Sequence, residues 1–127
     1  MITLNTQIEN RGILTSIEFA GLPCKVRRVF MLSVNDVRYS RGGHAHKVCW
    51  QILVSLDSEV KVDTQNSFST DFFVLKRGFS LVIPPLNWLT IQFTEAHSSL
   101  LVLASHPYDP GDYIYDKDIL FQENKSE

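Results

Sequence analysis

Two cysteines in 127 residues, Cys24 and Cys49, are too few for a disulfide framework. They also lack the CxxC spacing of a redox or zinc motif. They read as two reduced, buried thiols. No apolar run approaches the roughly 20 residues that span a bilayer. Met1-Ile2-Thr3-Leu4-Asn5 is not a basic region leading into a long apolar stretch, so no leader is expected and the sequence points to the cytoplasm. The net charge is −2 with both signs interspersed, and there is no Lys/Arg-rich stripe. A nucleic-acid partner is therefore not expected. An anionic ligand would have to be held by a few placed cations. Helical periodicity, internal repeats and linker-like segments are also scarce, which leaves one domain over 1–127.

Short β-branched and aromatic runs fill the chain instead. Candidate strands are 12–19, 25–34, 48–55, 59–63, 71–75, 80–83, 89–94 and 98–105. Between them lie turn residues such as Gly21-Leu22-Pro23, Asn35-Asp36, Arg77-Gly78 and Pro84-Pro85. Many short strands at this spacing predict an all-β sandwich or barrel. The runs 48–55 and 98–105 are apolar at nearly every position, so they are buried on both faces or press one face on a partner. The segment from Tyr108 onward reads as a loop with a short helical or extended tail, fraying from about residue 121 and above all over Asn124 to Glu127.

The chemistry concentrates in Arg41-Gly42-Gly43-His44-Ala45-His46-Lys47. On a strand, side chains alternate, so His44 and His46 share one face with Cα atoms about 7 Å apart, and Ala45 points the other way. Gly42 and Gly43 permit a tight turn or close approach of a ligand. Arg41 offers a fork suited to phosphate. Two imidazoles on one face suit a metal, proton transfer near neutral pH, or a hydrogen-bonded polar pocket. A metal-binding cupin would need a carboxylate soon after the pair and a third histidine in a later strand. Gln51 and Leu89 stand at those places, and two neutral nitrogens alone hold zinc or iron weakly. The sequence thus argues against a bound metal. Asp109 and Asp112 fall in Tyr108-Asp109-Pro110-Gly111-Asp112, where turn formation explains them. His97 and His106 receive no role, and packing is the default for Tyr108 and Tyr113.

Arg41-Gly42-x-His44-Ala45-His46-Lys47, followed by Gln51, resembles the signature of the sugar 3,4-ketoisomerases. The flanking pieces Asn10-Arg11-Gly12-x-Leu14 with Glu18, Lys25-x-x-Arg28-Val29-Phe30, Pro84-Pro85 with Trp88, and Leu103-Ala104-Ser105 through Asp112-Tyr113-Ile114 follow in the same order. The match runs from about Asn10 to Leu120.

The resemblance implies a small cupin, an RmlC-like jelly-roll barrel, working without metal or cofactor as a homodimer that exchanges N-terminal strands. It implies conversion of a dTDP-linked 4-keto-6-deoxy sugar to its 3-keto isomer through an enediol, in the making of deoxyamino sugars for surface glycans such as lipopolysaccharide. His46 is assigned as carbon base with His44 as its partner, an order that could be reversed. Arg41 is the candidate for the diphosphate and Arg28 for the nucleotide. Gln51 would bind a sugar hydroxyl and Trp88 would line the sugar or base pocket. At one position the chain departs from the family, which commonly has His directly after the Trp of the Pro-Pro turn; here it is Leu89. That residue supports an alternative, a cupin that binds a nucleotide sugar without turning it over; a sugar epimerase is a further alternative because it shares the fold and the enolising chemistry, although the His-Ala-His doublet fits it less well. A metal dioxygenase-type cupin is a further rival.

Overall fold

The computed structural model describes residues 1–125, with side chains to residue 122. Twelve strands run in chain order: β1 (Ile2–Thr3), β2 (Asn5–Glu9), β3 (Gly12–Ser16), β4 (Arg28–Leu32), β5 (Ser40–His46), β6 (Gln51–Ser55), β7 (Val60–Gln65), β8 (Thr70–Leu75), β9 (Phe79–Ile83), β10 (Trp88–Phe93), β11 (Leu100–Ala104) and β12 (Tyr113–Ile114). They are followed by one α-helix, α1 (Lys117–Lys125). All strand pairs are antiparallel. One sheet has the order β1-β9-β6-β11-β4 and the other β12-β5-β10-β7-β8, while β2 and β3 form a separate hairpin. The all-β expectation holds, and the two five-stranded sheets form a jelly roll.

The sheets enclose a common core. Leu53, Leu81, Ile83, Leu100 and Val102 from the first meet Val60, Val62, Leu75, Ile91 and Phe93 from the second. The apolar run expected to be buried on both faces is so. All five residues of β6 are buried. Leu53 faces the inter-sheet core, while Ile52 and Val54 lie in a second cluster with Leu4, Leu103, Ile17, Leu22 and Val26. The chain's own N-terminal segment thus covers that face. Helix α1 covers the outer face of the other sheet, where Leu120 and Phe121 pack with Ala45, Leu86, Ile114 and Trp88.

Several boundaries differ from the sequence expectation. The strand predicted from Val48 begins at Gln51, because the amides of Val48 and Cys49 bond to a side-chain carboxylate instead of a neighbouring strand. Of the two forms expected for the tail, helical and extended, the chain takes the helical one over Lys117–Lys125, with Phe121 packed at its base. The fraying expected for Ser126 and Glu127 lies outside the described residues. Among the described residues, no helix is long and apolar enough to cross a membrane. Both cysteines are free thiols; Cys49 is buried and Cys24 half-buried.

The glycine pair in β5 is held at positive φ, 87° for Gly42 and 77° for Gly43. A Cβ on Gly42 would come 2.5 Å from the carbonyl oxygen of Leu89, whereas one on Gly43 meets nothing within 4 Å. Alanine at either position adopts a disfavoured conformation, but only Gly42→Ala adds a clash with backbone. Gly42→Ala is expected to lose about 1–3 kcal/mol more than Gly43→Ala in urea unfolding. Equal losses would show that β10 yields freely at this point.

Candidate active site

The two histidines are placed by the regular end of β5. His44 is half-buried, Ala45 is 1% exposed beneath α1, and His46 is buried. The alternation read from the sequence therefore holds, and the two imidazoles meet edge to face with centroids 5.1 Å apart. Opposite them, β12 aligns Tyr113 with His46. The Tyr113 ring centroid lies 4.4 Å from that of His46 and 4.8 Å from that of His44. Tyr115 extends the aromatic patch toward solvent, 5.7 Å from Tyr113.

The residue that organises this patch is one the sequence reading set aside. Asp112 was assigned to turn formation, but its carboxylate is buried. Oδ2 accepts from His46 Nδ1–H at 2.9 Å and from the Cys49 amide at 3.3 Å, and Oδ1 accepts from the Val48 amide at 2.8 Å. Asp109 is the turn residue, accepting from the Gly111 amide at 2.9 Å. The difference between the two was not visible in their shared Pro-Gly loop. Because a carboxylate only accepts, the His46 proton sits on Nδ1 and the neutral ring presents a lone pair at Nε2. That Nε2 is buried with no partner among the described residues.

Burial pushes both imidazoles below their ordinary pKa. For His44, desolvation is reinforced by neighbouring His46 and opposed by a backbone hydrogen bond with Gly42. For His46, desolvation outweighs the hydrogen bond and charge of Asp112, and Arg28 adds to the lowering. Both rings are thus neutral at pH 7 and able to accept a proton. Burial raises the Tyr113 phenol, although the Arg28 guanidinium nearby pulls the other way. Tyr113 therefore stays a protonated donor at neutral pH.

An open cavity of about 430 Å³ lies against this patch. His44 and Tyr113 line one side. Leu89 and Ile91 continue the same sheet, and Arg28, Phe30, Leu32 and Gln51 come from the facing sheet. The left-handed glycines interrupt the alternation of β5, so Arg41 and Gly42 both border the opening. Arg41 is exposed and has no carboxylate within ion-pair distance among the described residues. Arg28 lies over Phe30, 4.4 Å from the ring centroid, and 5.4 Å from Tyr108. His46 does not line this cavity. It sits behind His44 against a small void shared with Cys49, His106 and Tyr108.

Of the sequence-predicted residues, His44, Arg41, Arg28 and Gln51 converge on the cavity, with His46 directly behind. Trp88 does not converge. It precedes Leu89 on β10, so its side chain takes the opposite face and packs with Ala45, Leu86 and Leu120, with the Lys117 ammonium 5.4 Å from the ring centroid. His97 is exposed in a turn, as expected. Leu89 lies beside His44 in the ladder and is buried.

His46, Cys49 and Asp112 also form a buried trio whose ligand atoms lie within 4.8 Å of one another. These donors do not suit a cation. Both Asp112 oxygens already accept from N–H groups and the Cys49 thiol donates to the Trp50 carbonyl, so a metal would have to displace those bonds.

A jelly roll with His44 on a cavity between its sheets and His46 directly behind it defines a small cupin of the RmlC-like kind. The RmlC epimerase of Mycobacterium tuberculosis shares this fold, with a TM-score of 0.74, 17% identity and coverage of 88% of this chain and 65% of that one. The chain belongs to the WxcM-like, C-terminal family, whose sequence model matches residues 1–125. It is 29% identical over 120 residues to the TDP-4-oxo-6-deoxy-α-D-glucose-3,4-oxoisomerase of Aneurinibacillus thermoaerophilus, covering 93% of this chain and 86% of that protein. The crystal structure of QdtA, a sugar 3,4-ketoisomerase from Thermoanaerobacterium thermosaccharolyticum in complex with TDP, superposes with a TM-score of 0.90 at 34% identity. That match covers 98% of this chain and 93% of the other.

The depressed imidazoles also set how stability depends on pH. Above about 6.5, His44 and His46 are neutral in both folded and unfolded chains. As pH falls through that value, the unfolded chain binds protons that the folded chain resists, so stability declines. Urea unfolding is expected to show a lower midpoint at pH 5 than at pH 7, and His44→Gln is expected to flatten the slope. A midpoint unchanged between the two pH values would contradict the burial account.

Proposed function

We propose that this chain is a nucleotide-sugar 3,4-ketoisomerase that converts a dTDP-linked 4-keto-6-deoxyhexose to its 3-keto isomer in deoxyamino sugar biosynthesis. The observation that carries this reading is the pair of neutral imidazoles at the cavity, one of them held in a single tautomer by Asp112. The family membership and the named activities of its relatives support it.

The carbonyl at carbon 4 acidifies the hydrogen on carbon 3. A neutral imidazole removes that proton, the oxygen on carbon 4 is protonated to give an enediol, and protonation at carbon 4 with loss of the hydroxyl proton on carbon 3 completes the isomerisation. His44 lines the cavity, so the geometry favours it as carbon base, reversing the order preferred from sequence. His46, behind it, is held in one tautomer by Asp112 and presents Nε2 as an acceptor. Tyr113 can donate to an oxygen of the enediol. Arg41 and Arg28 are positioned for the diphosphate and nucleotide, and Gln51 for a sugar hydroxyl. None of these steps requires a cofactor.

The working unit we propose is a homodimer in the cytoplasm, where nucleotide-activated sugars are assembled. Two features support a second copy. The hairpin β2–β3 joins neither sheet and leaves Ile8 85% exposed, with Ile13 and Leu14 exposed beside it. Edge strand β4 exposes Val29 and Met31. Leu89 favours a second reading, binding of the nucleotide sugar without turnover.

Purified protein incubated with dTDP-4-keto-6-deoxyglucose and followed by NMR is expected to form the 3-keto sugar. His44→Asn is expected to lower kcat by ~10³-fold with circular dichroism unchanged. Arg41→Ala is expected to raise KM about tenfold or more with little change in kcat. Saturable binding without any 3-keto product would support the non-catalytic reading, and an undiminished His44→Asn would remove His44 from the chemistry.

A further inference from the structure

Leu86, in the turn that enters β10, is held at a left-handed φ of 63°. That conformation is an outlier for a bulky side chain and persists only where the surroundings over-determine it. In Pro84-Pro85-Leu86-Asn87 the residue type that tolerates it best is asparagine, yet the leucine carries it. Two sets of contacts hold Leu86 there. Its side chain is buried with Ala45, Ile114 and Leu120, and its amide donates to the His46 carbonyl at 2.8 Å. Around it, Asn87 Nδ2 donates to the carbonyls of Pro84 at 3.2 Å and Pro85 at 3.1 Å, which closes the turn. Asn87 Oδ1 accepts from Asn66 Nδ2 at 2.9 Å. Asn66 is itself fixed, because its Oδ1 accepts from the amides of Phe68 and Ser69 in the β7–β8 turn.

We propose that Asn87 is a positioning residue: by holding Leu86 left-handed, it keeps the Leu86 amide on the His46 carbonyl and thereby keeps the His46 ring on Asp112. Its effect on rate rests on the ketoisomerase reading above, whereas its effect on the ring rests on geometry alone. His46 is the last residue of β5, and the Leu86 amide is the donor to its carbonyl. Its Nδ1 meets Asp112 Oδ2 at 2.9 Å. Such a bond weakens steeply as its angle closes, so a small rotation of the His46 backbone loosens it. Without the Asn87 donors, Leu86 relaxes to the negative φ that leucine prefers. Its amide then turns away and leaves the His46 carbonyl without that donor, a costly state in a buried setting. The backbone of His46 shifts in response, and its ring moves off Asp112. Asn87 does not line the cavity, and Arg28, Arg41 and Gln51 keep their places on its walls. The loss therefore falls on turnover and not on binding.

The test is the tautomer of His46 in the full-length protein, labelled with nitrogen-15 at histidine and read from two-bond nitrogen–proton correlations near pH 7.5. The wild type is expected to show one His46 tautomer, with the proton on Nδ1. Asn87→Ala is expected to give a mixture with the Nε2–H form. With dTDP-4-keto-6-deoxyglucose, its kcat is expected to fall about tenfold or more, with KM within about twofold of the wild type. Asn87→Asp keeps the side-chain shape and the bond from Asn66 but has no donor for the proline carbonyls. It is expected to match Asn87→Ala, and it decides the matter should the alanine variant not fold. Val60→Ala, in the core between the sheets, is expected to lower the urea midpoint while leaving the tautomer, kcat and KM unchanged. An unchanged His46 tautomer in the Asn87 variants, or a tautomer shift of the same size in Val60→Ala, would overturn the positioning role. If the wild type forms no 3-keto sugar, the ketoisomerase reading fails, and the tautomer still decides whether Asn87 places His46.

Discussion

The hydrogen bond from His46 Nδ1 to Asp112 joins the two parts of the chain on which the site depends. One is the His-Ala-His end of β5. The other is the loop that leads into β12 and α1. The same carboxylate takes the amides of Val48 and Cys49, so it ends β5, shapes the turn before β6 and fixes a histidine tautomer at once. The Lys47 amide, bonded at 2.9 Å to the Asp112 carbonyl, ties the backbone of the two segments as well. The carboxylate makes three hydrogen bonds in a buried setting, where leaving any of the groups unpaired is costly.

Burial has opposite uses on the two sides of β5. On one side Ala45 is small enough for α1 to close over it, bringing Leu120 and Ile114 into contact. On the other side, burial depresses the imidazoles and raises the Tyr113 phenol, which separates a base from an acid within one aromatic patch. The pKa of His46 shows which effect wins. Asp112 would hold it protonated, but desolvation prevails and the ring remains neutral. A carboxylate in this arrangement orients a base without supplying it with a permanent proton.

The architecture was legible because β-strands carry their signal locally. The runs at 48–55 and 98–105 pointed to burial on both faces or to one face on a partner, and the adjacent strands β6 and β11 take the first option within the chain. The histidine pair was legible for the same reason, since alternation alone fixes its shared face. Asp112 was not legible as its partner. It lies 66 residues from His46, and its neighbours Asp109, Pro110 and Gly111 carry an ordinary turn signature. Only the β5–β12 pairing brings it under the imidazole. Trp88 was misplaced for a simpler reason. The Pro-Pro turn located it in the chain, but its face depends on the register of β10, which puts Leu89 toward His44 and Trp88 toward α1.

Leu89 links these observations. A polar or ionisable side chain there would stand next to His44 and give the cavity a further group able to exchange protons. With leucine, the ladder neighbour of His44 is apolar and buried. The leucine therefore leaves the imidazole pair and its Asp112 partner undisturbed. In the reaction proposed above, the groups on this side of the cavity that can exchange a proton are then His44 and Tyr113, with the Asp112-held His46 behind them.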